Sequence, residues 1–174
     1  MSAPVFTPAD LALHRDVLVE LNVEYIGWVC EGIEERFGLG PVEVLGAPVA
    51  AYVPGALAKV CLRPPDGVFY LVSLDGAPAG MGGLRRLHGD VGEVKRVYVR
   101  PGFRGHRLGE RIMARLLEDA RALGLSRVVL DTAPFMTSAH GLYARMGFVD
   151  RGPYPGGEVP ERLHASWRFM ERTL

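Results

Sequence analysis

The sequence predicts an α+β fold, in which a mixed and mostly antiparallel central sheet is flanked by helices. Two apolar runs separated by the turn residues Asp75 and Gly76 predict an antiparallel hairpin in the middle of the chain. A strand–helix–strand unit follows over residues 93–130, and a crossover of this kind makes its two strands parallel. The first third carries helical periodicity instead, so helices and strands are segregated rather than strictly alternating.

The N-terminal third is predicted to be helical. Thr7 is the expected N-cap, with Pro8 at the first helical position and the acid Asp10 three residues after the cap. An apolar stripe with helical spacing continues as far as Gly38, either as one long helix or as two helices broken near Gly27.

Three other stretches of this third are less regular. Residues 5–6 could form a short first strand, and residues 54–62 could form a short helix. Residues 38–54 contain three glycines and three prolines and predict no element.

The middle of the chain predicts three strands joined by turns. Residues 68–74 are continuously apolar, which is typical of a strand buried on both faces. Residues 79–87 form the partner strand, and their three glycines indicate an irregular one. The turn at residues 88–90 leads into a third strand over residues 93–99, which is rich in β-branched and aromatic residues.

A helix is predicted to follow this third strand. Pro101 and Gly102 end the strand with a turn signal. From Leu108 onward the apolar residues recur every three or four positions, while the charged residues lie off that stripe. Gly124 stands where a left-handed helix cap is expected.

The joint between this strand and this helix is strongly basic. From Val94 to Gly109 there is no carboxylate, whereas lysine and arginine together occur five times, in a chain whose net charge is zero. Arg104, Arg107 and Arg111 lie near the start of the helix, where the macrodipole makes cations unfavourable. Free backbone N–H groups beside a flexible glycine and several guanidinium groups are typical of a phosphate site. The alternative is a solvated basic turn, because short glycine motifs are weakly specific.

The C-terminal part predicts two more helix and strand elements. Residues 127–130 form a short apolar strand, parallel to the strand over residues 93–99. Residues 137–146 form a helix capped by Gly147, and another strand starts at Phe148. Alternation of apolar and polar residues over 163–170 predicts the last strand.

Composition indicates one soluble domain. The chain has 174 residues, 48% of them hydrophobic, with 20 basic and 20 acidic side chains, which argues against a nucleic-acid or membrane-surface binder. Cys30 and Cys61 lack the spacing of a metal or redox motif and are expected to be buried free thiols. No signal peptide is recognised, and the longest uncharged run, residues 44–58, is too short to span a membrane. We therefore expect a cytoplasmic protein.

Residues 97–109 resemble the coenzyme A signature of the GNAT superfamily of N-acetyltransferases. That signature consists of Arg or Gln, two residues of any type, Gly, one further residue, and then Gly or Ala. Arg104 and Gly109 match it, and Gly105 is a common addition. Arg107 stands where the signature has glycine, which alters how closely the backbone can approach a pyrophosphate, although the guanidinium group could add a phosphate contact.

Residues 140–148 resemble the second hallmark of this superfamily, Leu-Tyr followed by three residues and then Gly-Phe. Leu142, Tyr143, Gly147 and Phe148 supply it, whereas Met136 replaces the asparagine that is often found seven positions before the tyrosine. A glycine-capped helix end would explain the glycine and phenylalanine, but not the order and spacing of two hallmarks. The resemblance covers about the C-terminal half of the chain.

The resemblance implies a GNAT-like fold in a single domain over residues 1–174, with residues 1–65 as a helical, acceptor-side part and residues 66–174 as the coenzyme-binding core. It implies acetyl-CoA as co-substrate, with the pantetheine arm along the backbone of residues 97–99 and the pyrophosphate against residues 104–109. The expected cofactor-binding residues are therefore Val97, Tyr98, Val99, Arg104, Gly105, His106, Arg107, Leu108 and Gly109.

The resemblance also implies direct attack of an amine on the acetyl group. The amine must first lose a proton, because an ammonium group has no lone pair. Tyr143 occupies the position of the family's general acid, and Glu93 the position where some members carry a catalytic glutamate, the expected base. Strand alternation places Glu93, Lys95, Val97 and Val99 on one face. An ion pair with Lys95 would instead leave Glu93 structural.

Other catalytic arrangements have less support in the sequence. His88, His140 and His164 are weaker candidates for the base. No cluster of histidine, cysteine or acidic residues has metal-ligand spacing, so no metal is expected. No serine lies in a nucleophile-elbow motif.

Two functions remain open from the sequence. The first is an acetyl-CoA-dependent N-acetyltransferase acting on a small-molecule or peptidyl amine, which Tyr143 favours. The second is a non-catalytic module that binds or senses coenzyme A or another nucleotide. Antibiotics, amino acids, polyamines and protein N-termini all fit as acceptors. A homodimer is compatible with the sequence, and no nucleic-acid or membrane partner is expected.

Overall fold

A strand and three helices precede a run of three strands, after which two helix–strand pairs and a final strand follow. The computed structural model describes residues 3–174. Its elements are β1 (Val5–Pro8), α1 (Arg15–Phe37), α2 (Pro41–Leu45), α3 (Val49–Val60), β2 (Gly67–Leu74), β3 (Ala77–His88), β4 (Val91–Val99), α4 (Leu108–Ala122), β5 (Arg127–Thr132), α5 (Thr137–Arg145), β6 (Val149–Arg151) and β7 (Arg168–Thr173). Two 3₁₀ turns lie at Pro101–Phe103 and Glu161–Ser166.

The strands form one seven-stranded sheet in the order β1-β2-β3-β4-β5-β7-β6. Only β4 and β5 pair in parallel, and the other five pairings are antiparallel. Helices α4 and α5 contribute to a core on one face of the sheet, and α1 and α3 contribute to a core on the other. The predicted α+β fold, with a mixed and mostly antiparallel sheet flanked by helices, is confirmed.

The predicted helix start at Thr7 is wrong. Thr7 and Pro8 pair with Leu71 and Tyr70 of β2, and α1 begins only at Arg15. Pairing along the sheet edge supplies backbone partners that outweigh the local capping preference. The alternative of a short first strand at residues 5–6 is confirmed. Helix α1 is one unbroken helix through Gly27, and Gly38 ends it with φ of 69° as a left-handed cap.

The segment for which the sequence predicted no element contains α2 and the first part of α3. The short helix predicted for residues 54–62 begins earlier, at Val49, so Pro54 lies inside it. By length and composition alone, Pro41–Val60 would be long and apolar enough to cross a membrane, although the break between α2 and α3 interrupts it. Only 17% of its most apolar 18-residue window is buried.

Strand β4 contains a bulge that reverses its alternation. The β3–β4 register shifts between Met81 and Gly83, and Arg96 adopts φ of 54° at this point. Val97 and Val99 pack against the core beneath α4, whereas Lys95 approaches Glu93. The prediction that these four residues share one face is therefore wrong, because regular alternation does not continue through a bulge.

The last strand is shorter than predicted. Residues 161–166 form a 3₁₀ turn, and β7 starts at Arg168. The Leu163 amide donates to the Pro160 carbonyl at 2.8 Å, and the Leu163 side chain is buried. Ala165, on the same side of the predicted alternation as Leu163, is exposed, because a 3₁₀ turn has a period near three and not two.

Candidate active site

The site begins where β4 and β5 separate. The two strands pair only at Val91–Arg127, Gly92–Val128 and Glu93–Val129. Beyond Glu93 the open edge of β4 has no partner strand, although its other edge still pairs with β3. A parallel pair that splays at its carboxyl ends leaves a wedge, which is where open α/β sheets commonly hold ligands.

A cleft of about 500 Å³ fills this wedge, and we call it the β4–β5 cleft. Strand β4 forms one wall and the end of β5 with the start of α5 forms the other. The residues from these elements and from α1 and α4 that border it include Tyr25, Trp28, Val97, Tyr98, Val99, Arg104, Leu108, Asp131, Thr132, Phe135, Met136, Leu142 and Tyr143.

The first turn of α4 lies beside the cleft, at the end of a loop with left-handed backbone. Gly105 and Arg107 both have positive φ, 87° and 55°. The first backbone bond of the helix joins the Arg111 amide to the Arg107 carbonyl at 3.1 Å. The amides just before Arg111 therefore lack intrahelical partners, as at any helix start. Together with the positive end of the α4 dipole, they suit an anionic group.

The two arginines of this loop that border the cleft differ in how they are paired. Arg107 donates to both carboxylate oxygens of Glu110, at 2.6 and 2.9 Å. Arg104 donates only to the Val99 carbonyl, at 3.3 Å, and forms no ion pair within residues 3–174. Of these two arginines, Arg104 is the one that can bind a phosphate without displacing a carboxylate.

The structure brings most of the predicted site residues together. Tyr143 and all of the predicted cofactor-binding residues except His106 border the β4–β5 cleft, whereas Glu93, the predicted base, does not. His106 belongs to the same loop but does not border the cleft. The left-handed conformation of Arg107 explains why the coenzyme A signature that residues 97–109 resemble has a glycine at this position.

Tyr143 borders the cleft from a mostly buried position. Its side chain packs against Phe148 with a ring-centroid distance of 6.0 Å. Burial, with smaller contributions from Tyr25 and Asp131, raises the pKa of Tyr143 well above its ordinary value. The hydroxyl group therefore stays protonated at neutral pH and can act as a hydrogen-bond donor.

Glu93 lies at the apex of the wedge, buried beneath its surface. Its side chain is 0% exposed and meets Arg85 at 2.5 Å and Lys95 at 3.6 Å. The Tyr154 hydroxyl donates to Glu93 at 2.9 Å and lies 3.4 Å from Asp131. The ion pair with Lys95 that the sequence allowed is present, and the Tyr154 hydroxyl links Glu93 to Asp131, which borders the cleft.

A second cavity of about 270 Å³ adjoins the first, and we call it the α1 cavity. It lies between α1, the bulge of β4 and the segment around residues 158–167. Tyr25 and Asp131 border both spaces. A molecule in the α1 cavity can therefore meet a molecule in the β4–β5 cleft at these two residues.

Asp131 is a site residue that the sequence interpretation missed. It follows the apolar residues of β5 near the carboxyl end of a parallel strand, and this position was a usable signal. No local sequence pattern indicated that Tyr25 and Trp28 border the site, because α1 reaches the site only through long-range packing.

The histidine candidates for the base lie outside the cleft. His140 and His164 contact the carbonyls of Ala133 and Val159, each at 2.9 Å.

No group of histidine, cysteine and acidic residues within residues 3–174 has an arrangement that could hold a metal ion. Cys30 and Cys61 are both free thiols. Burial raises the pKa of Cys61 to about 11, so this thiol is mainly protonated at neutral pH.

Comparison with known proteins agrees with this geometry. The acetyltransferase (GNAT) family matches residues 41–148. The IAA acetyltransferase of Azospirillum brasilense is 38% identical over 115 residues, which are 65% of this chain and 72% of that protein. The uncharacterized N-acetyltransferase YjgM of Escherichia coli is 32% identical over 87 residues, which are 48% of this chain and 52% of that protein.

The fold also matches solved structures over its whole length. The PaiA N-acetyltransferase of Thermoplasma acidophilum, determined in complex with coenzyme A, superposes with a TM-score of 0.74 at 15% identity. The match covers 99% of this chain and 100% of that one. With the family match spanning more than half of the sequence, this chain belongs to the acetyltransferase (GNAT) family.

Proposed function

We propose that the protein transfers the acetyl group of acetyl-CoA to the nitrogen of an amine bound in the α1 cavity, by direct attack. The observation that carries the proposal is the β4–β5 cleft, which joins an open strand edge, a helix N-terminus and a buried tyrosine in one space. The α1 cavity meets this cleft at Asp131. Two substrates can thus approach each other without a covalent intermediate on the protein.

The residues of the cleft fit the parts of acetyl-CoA. The open edge of β4 at residues 97–99 can pair with the amides of the pantetheine arm, as an added strand would. The amides at the start of α4 and the guanidinium group of Arg104 suit the pyrophosphate. The acetyl end would then point toward the apex of the wedge, where Tyr143 lies.

The reaction forms one bond and breaks one. The amine nitrogen bonds to the thioester carbonyl carbon, the carbon–sulfur bond breaks, and the products are an N-acetyl amine, the coenzyme thiol and one proton from the ammonium form of the acceptor. Tyr143 acts by donating a hydrogen bond, or its proton, to the departing sulfur. Because its pKa is raised, its main contribution is to stabilise the charge that develops on sulfur.

The proton of the ammonium group needs a separate path. Glu93 is wholly buried, so we propose that it acts through Tyr154, whose hydroxyl group contacts both Glu93 and Asp131. Asp131 borders the space between the two substrates and receives the ammonium group. Glu93 as the base thus stays a prediction, with Tyr154 as the required intermediary.

Thiol release tests this function. The protein is incubated with acetyl-CoA and a panel of amines, while calorimetry measures acetyl-CoA binding separately. We expect binding, together with acceptor-dependent release of coenzyme thiol. Binding without release for every amine would support the non-catalytic alternative, and the absence of binding by folded protein would contradict both.

Reversing the charge of Arg104 should weaken acetyl-CoA binding. Arg104 has no carboxylate partner among the described residues, so Arg104→Glu loses a charge-assisted phosphate contact and adds repulsion. Such a contact is typically worth about 1.5–3 kcal/mol, or roughly tenfold or more in Kd. Calorimetry measures the change. Arg111→Glu is the matched control, because Arg111 belongs to the same helix start but does not border the cleft. Equal losses of acetyl-CoA affinity in both variants would indicate only a general electrostatic attraction, without a direct contact between Arg104 and a phosphate.

Replacing Gly105 by valine should also reduce acetyl-CoA affinity while the fold persists. A side chain at Gly105 would meet no atom within 4 Å, so the folded core tolerates it, but φ of 87° is strained for a β-branched residue. The strain and the bulk act on the backbone that approaches the pyrophosphate. Gly102→Val, in the preceding turn with open space around it, is the control. Unchanged Kd in Gly105→Val would show that this loop is not the phosphate site.

A further inference from the structure

Arg96 is an unusual buried cation in the wall of the α1 cavity. The residue lies at the bulge of β4 and is only 8% exposed. Its Nη1 donates to Oδ1 of Asn22 at 2.6 Å. Asn22 is 0% exposed, and its Nδ2 donates to the Leu18 carbonyl at 2.7 Å. Helix α1 therefore holds the guanidinium group in one orientation.

No carboxylate within residues 3–174 forms an ion pair with Arg96. Its hydrogen-bond partner is a neutral amide, and no buried nitrogen of the side chain lacks a partner. The nitrogens that do not bond Asn22 are thus accessible, and the side chain borders the α1 cavity. A charge removed from water without a counter-ion is costly, so a cavity with such a wall favours an anionic ligand.

The other charged groups of the α1 cavity are Lys95, Glu158 and Asp131. Lys95 lies 2.9 Å from Glu158 and 3.6 Å from Glu93. Asp131 accepts from a neutral donor, the Trp167 indole at 3.0 Å, and lies 3.4 Å from the Tyr154 hydroxyl, whose one hydrogen is donated to Glu93. Arg96 and Asp131 are therefore the two charged groups of this cavity that form no ion-pair contact with another described residue, although at longer range Arg96 lowers the pKa of Glu158 and Asp131 raises that of Lys95.

The remaining walls of the α1 cavity are largely apolar. The aliphatic side chains that border it include Ile26, Val29, Ile33, Val44, Leu45 and Leu163. A volume of about 270 Å³ is at the small end for a ligand site. A sugar would leave its hydroxyl groups without partners on such walls. A phosphate dianion would need a second unpaired cation, which Lys95 does not supply.

From these observations we propose that the acceptor is a zwitterionic amino acid with an uncharged, apolar side chain. Its carboxylate would bind Arg96, its ammonium group would bind Asp131 beside the β4–β5 cleft, and its side chain would occupy the aliphatic walls. The inference rests on the proposed acetyl transfer, because it names the acceptor of that reaction. Arg96 is then a specificity-determining residue that touches the substrate.

A comparison of matched acceptors tests the proposal. L-leucine and 3-methylbutylamine share the same side chain and amine, but only L-leucine carries the carboxylate; L-phenylalanine and 2-phenylethylamine form a second such pair. We expect kcat/KM to be at least about tenfold higher for the amino acid of each pair, as for one charge-assisted contact. The same preference is expected in calorimetric binding of these compounds to the protein–coenzyme A complex, a readout that needs no turnover.

Arg96→Gln should abolish this preference, and Arg96→Lys should retain part of it, because the positive charge remains. Melting curves establish whether both variants fold. If Arg96→Gln does not fold, the wild-type comparison and Arg96→Lys decide the question. If the wild type had equal kcat/KM for the amino acid and the matched amine of each pair, or bound none of the amino acids tested, the proposed acceptor class would be overturned. A failure of the proposed acetyl transfer is distinguishable from this result, because acetyl-CoA would then not bind, or no amine would cause thiol release.

Discussion

Replacing Tyr143 by phenylalanine should lower kcat by about 10²–10⁴-fold, the usual contribution of a general acid. The substitution removes only a hydroxyl group, and the ring contact with Phe148 can persist. Burial raises the pKa of Tyr143, so the group is a protonated donor throughout the neutral range. Its loss should therefore affect the step in which the carbon–sulfur bond breaks.

Binding and turnover must be measured together for this variant. The Kd for acetyl-CoA should change little, because the cleft keeps its backbone edge and Arg104. Tyr70→Phe is the matched control: its hydroxyl is hydrogen-bonded to Asp119 at 2.9 Å, but Tyr70 borders neither the β4–β5 cleft nor the α1 cavity. We expect Tyr70→Phe to keep its kcat. Full turnover in Tyr143→Phe would assign that tyrosine a packing role only.

Replacing Glu93 by glutamine should destabilise the fold by about 3 kcal/mol, the lower end for breaking a buried ion pair. The substitution keeps the side-chain volume but removes the charge that Arg85 meets at 2.5 Å. The loss is limited because Lys95 keeps Glu158 at 2.9 Å. Burial acts to lower the pKa of Lys95, but Asp131, Glu93 and Glu158 outweigh it and raise that pKa, so Lys95 stays charged.

Urea unfolding of the variant and of a control measures this effect. Asp150→Asn breaks an ion pair of the same length, 2.5 Å to Arg168, but the Asp150 side chain is 63% exposed. An exposed pair contributes about 1 kcal/mol or less, so the two variants should differ clearly. Similar small losses in the free energy of unfolding of both variants would mean that Glu93 is not an important counter-ion of Arg85.

The catalytic role of Glu93 has its own readout in the same variant. If Glu93 takes up the amine proton through Tyr154, kcat should fall most at the acidic end of the working pH range, where the amine most needs deprotonation. Tyr154→Phe should then reproduce the altered pH profile while the Arg85–Glu93 pair remains. An unchanged profile in both variants would leave Glu93 with a structural role and move the search for the base to Asp131 or to water.

The local sequence determined those features whose physical cause is local. Asp75 and Gly76 both adopt positive φ in the predicted hairpin turn. Helix α4, the caps at Gly38 and Gly124, and the loop around Arg104 follow from periodicity and from conformational demands on a few neighbouring residues. Residues of both hallmark motifs border the β4–β5 cleft. Each of these features depends on residues that are close together in the chain.

Only the tertiary structure decided how distant segments meet. Thr7 had good capping chemistry, but pairing with β2 made it part of a strand. The bulge at Arg96 turned that side chain toward Asn22, 74 residues earlier in the chain, and the separation of β5 from β4 brought Asp131 to the junction of the two cavities. These outcomes depend on register, splay and helix packing, whose energies come from contacts between segments, and local propensities do not contain them.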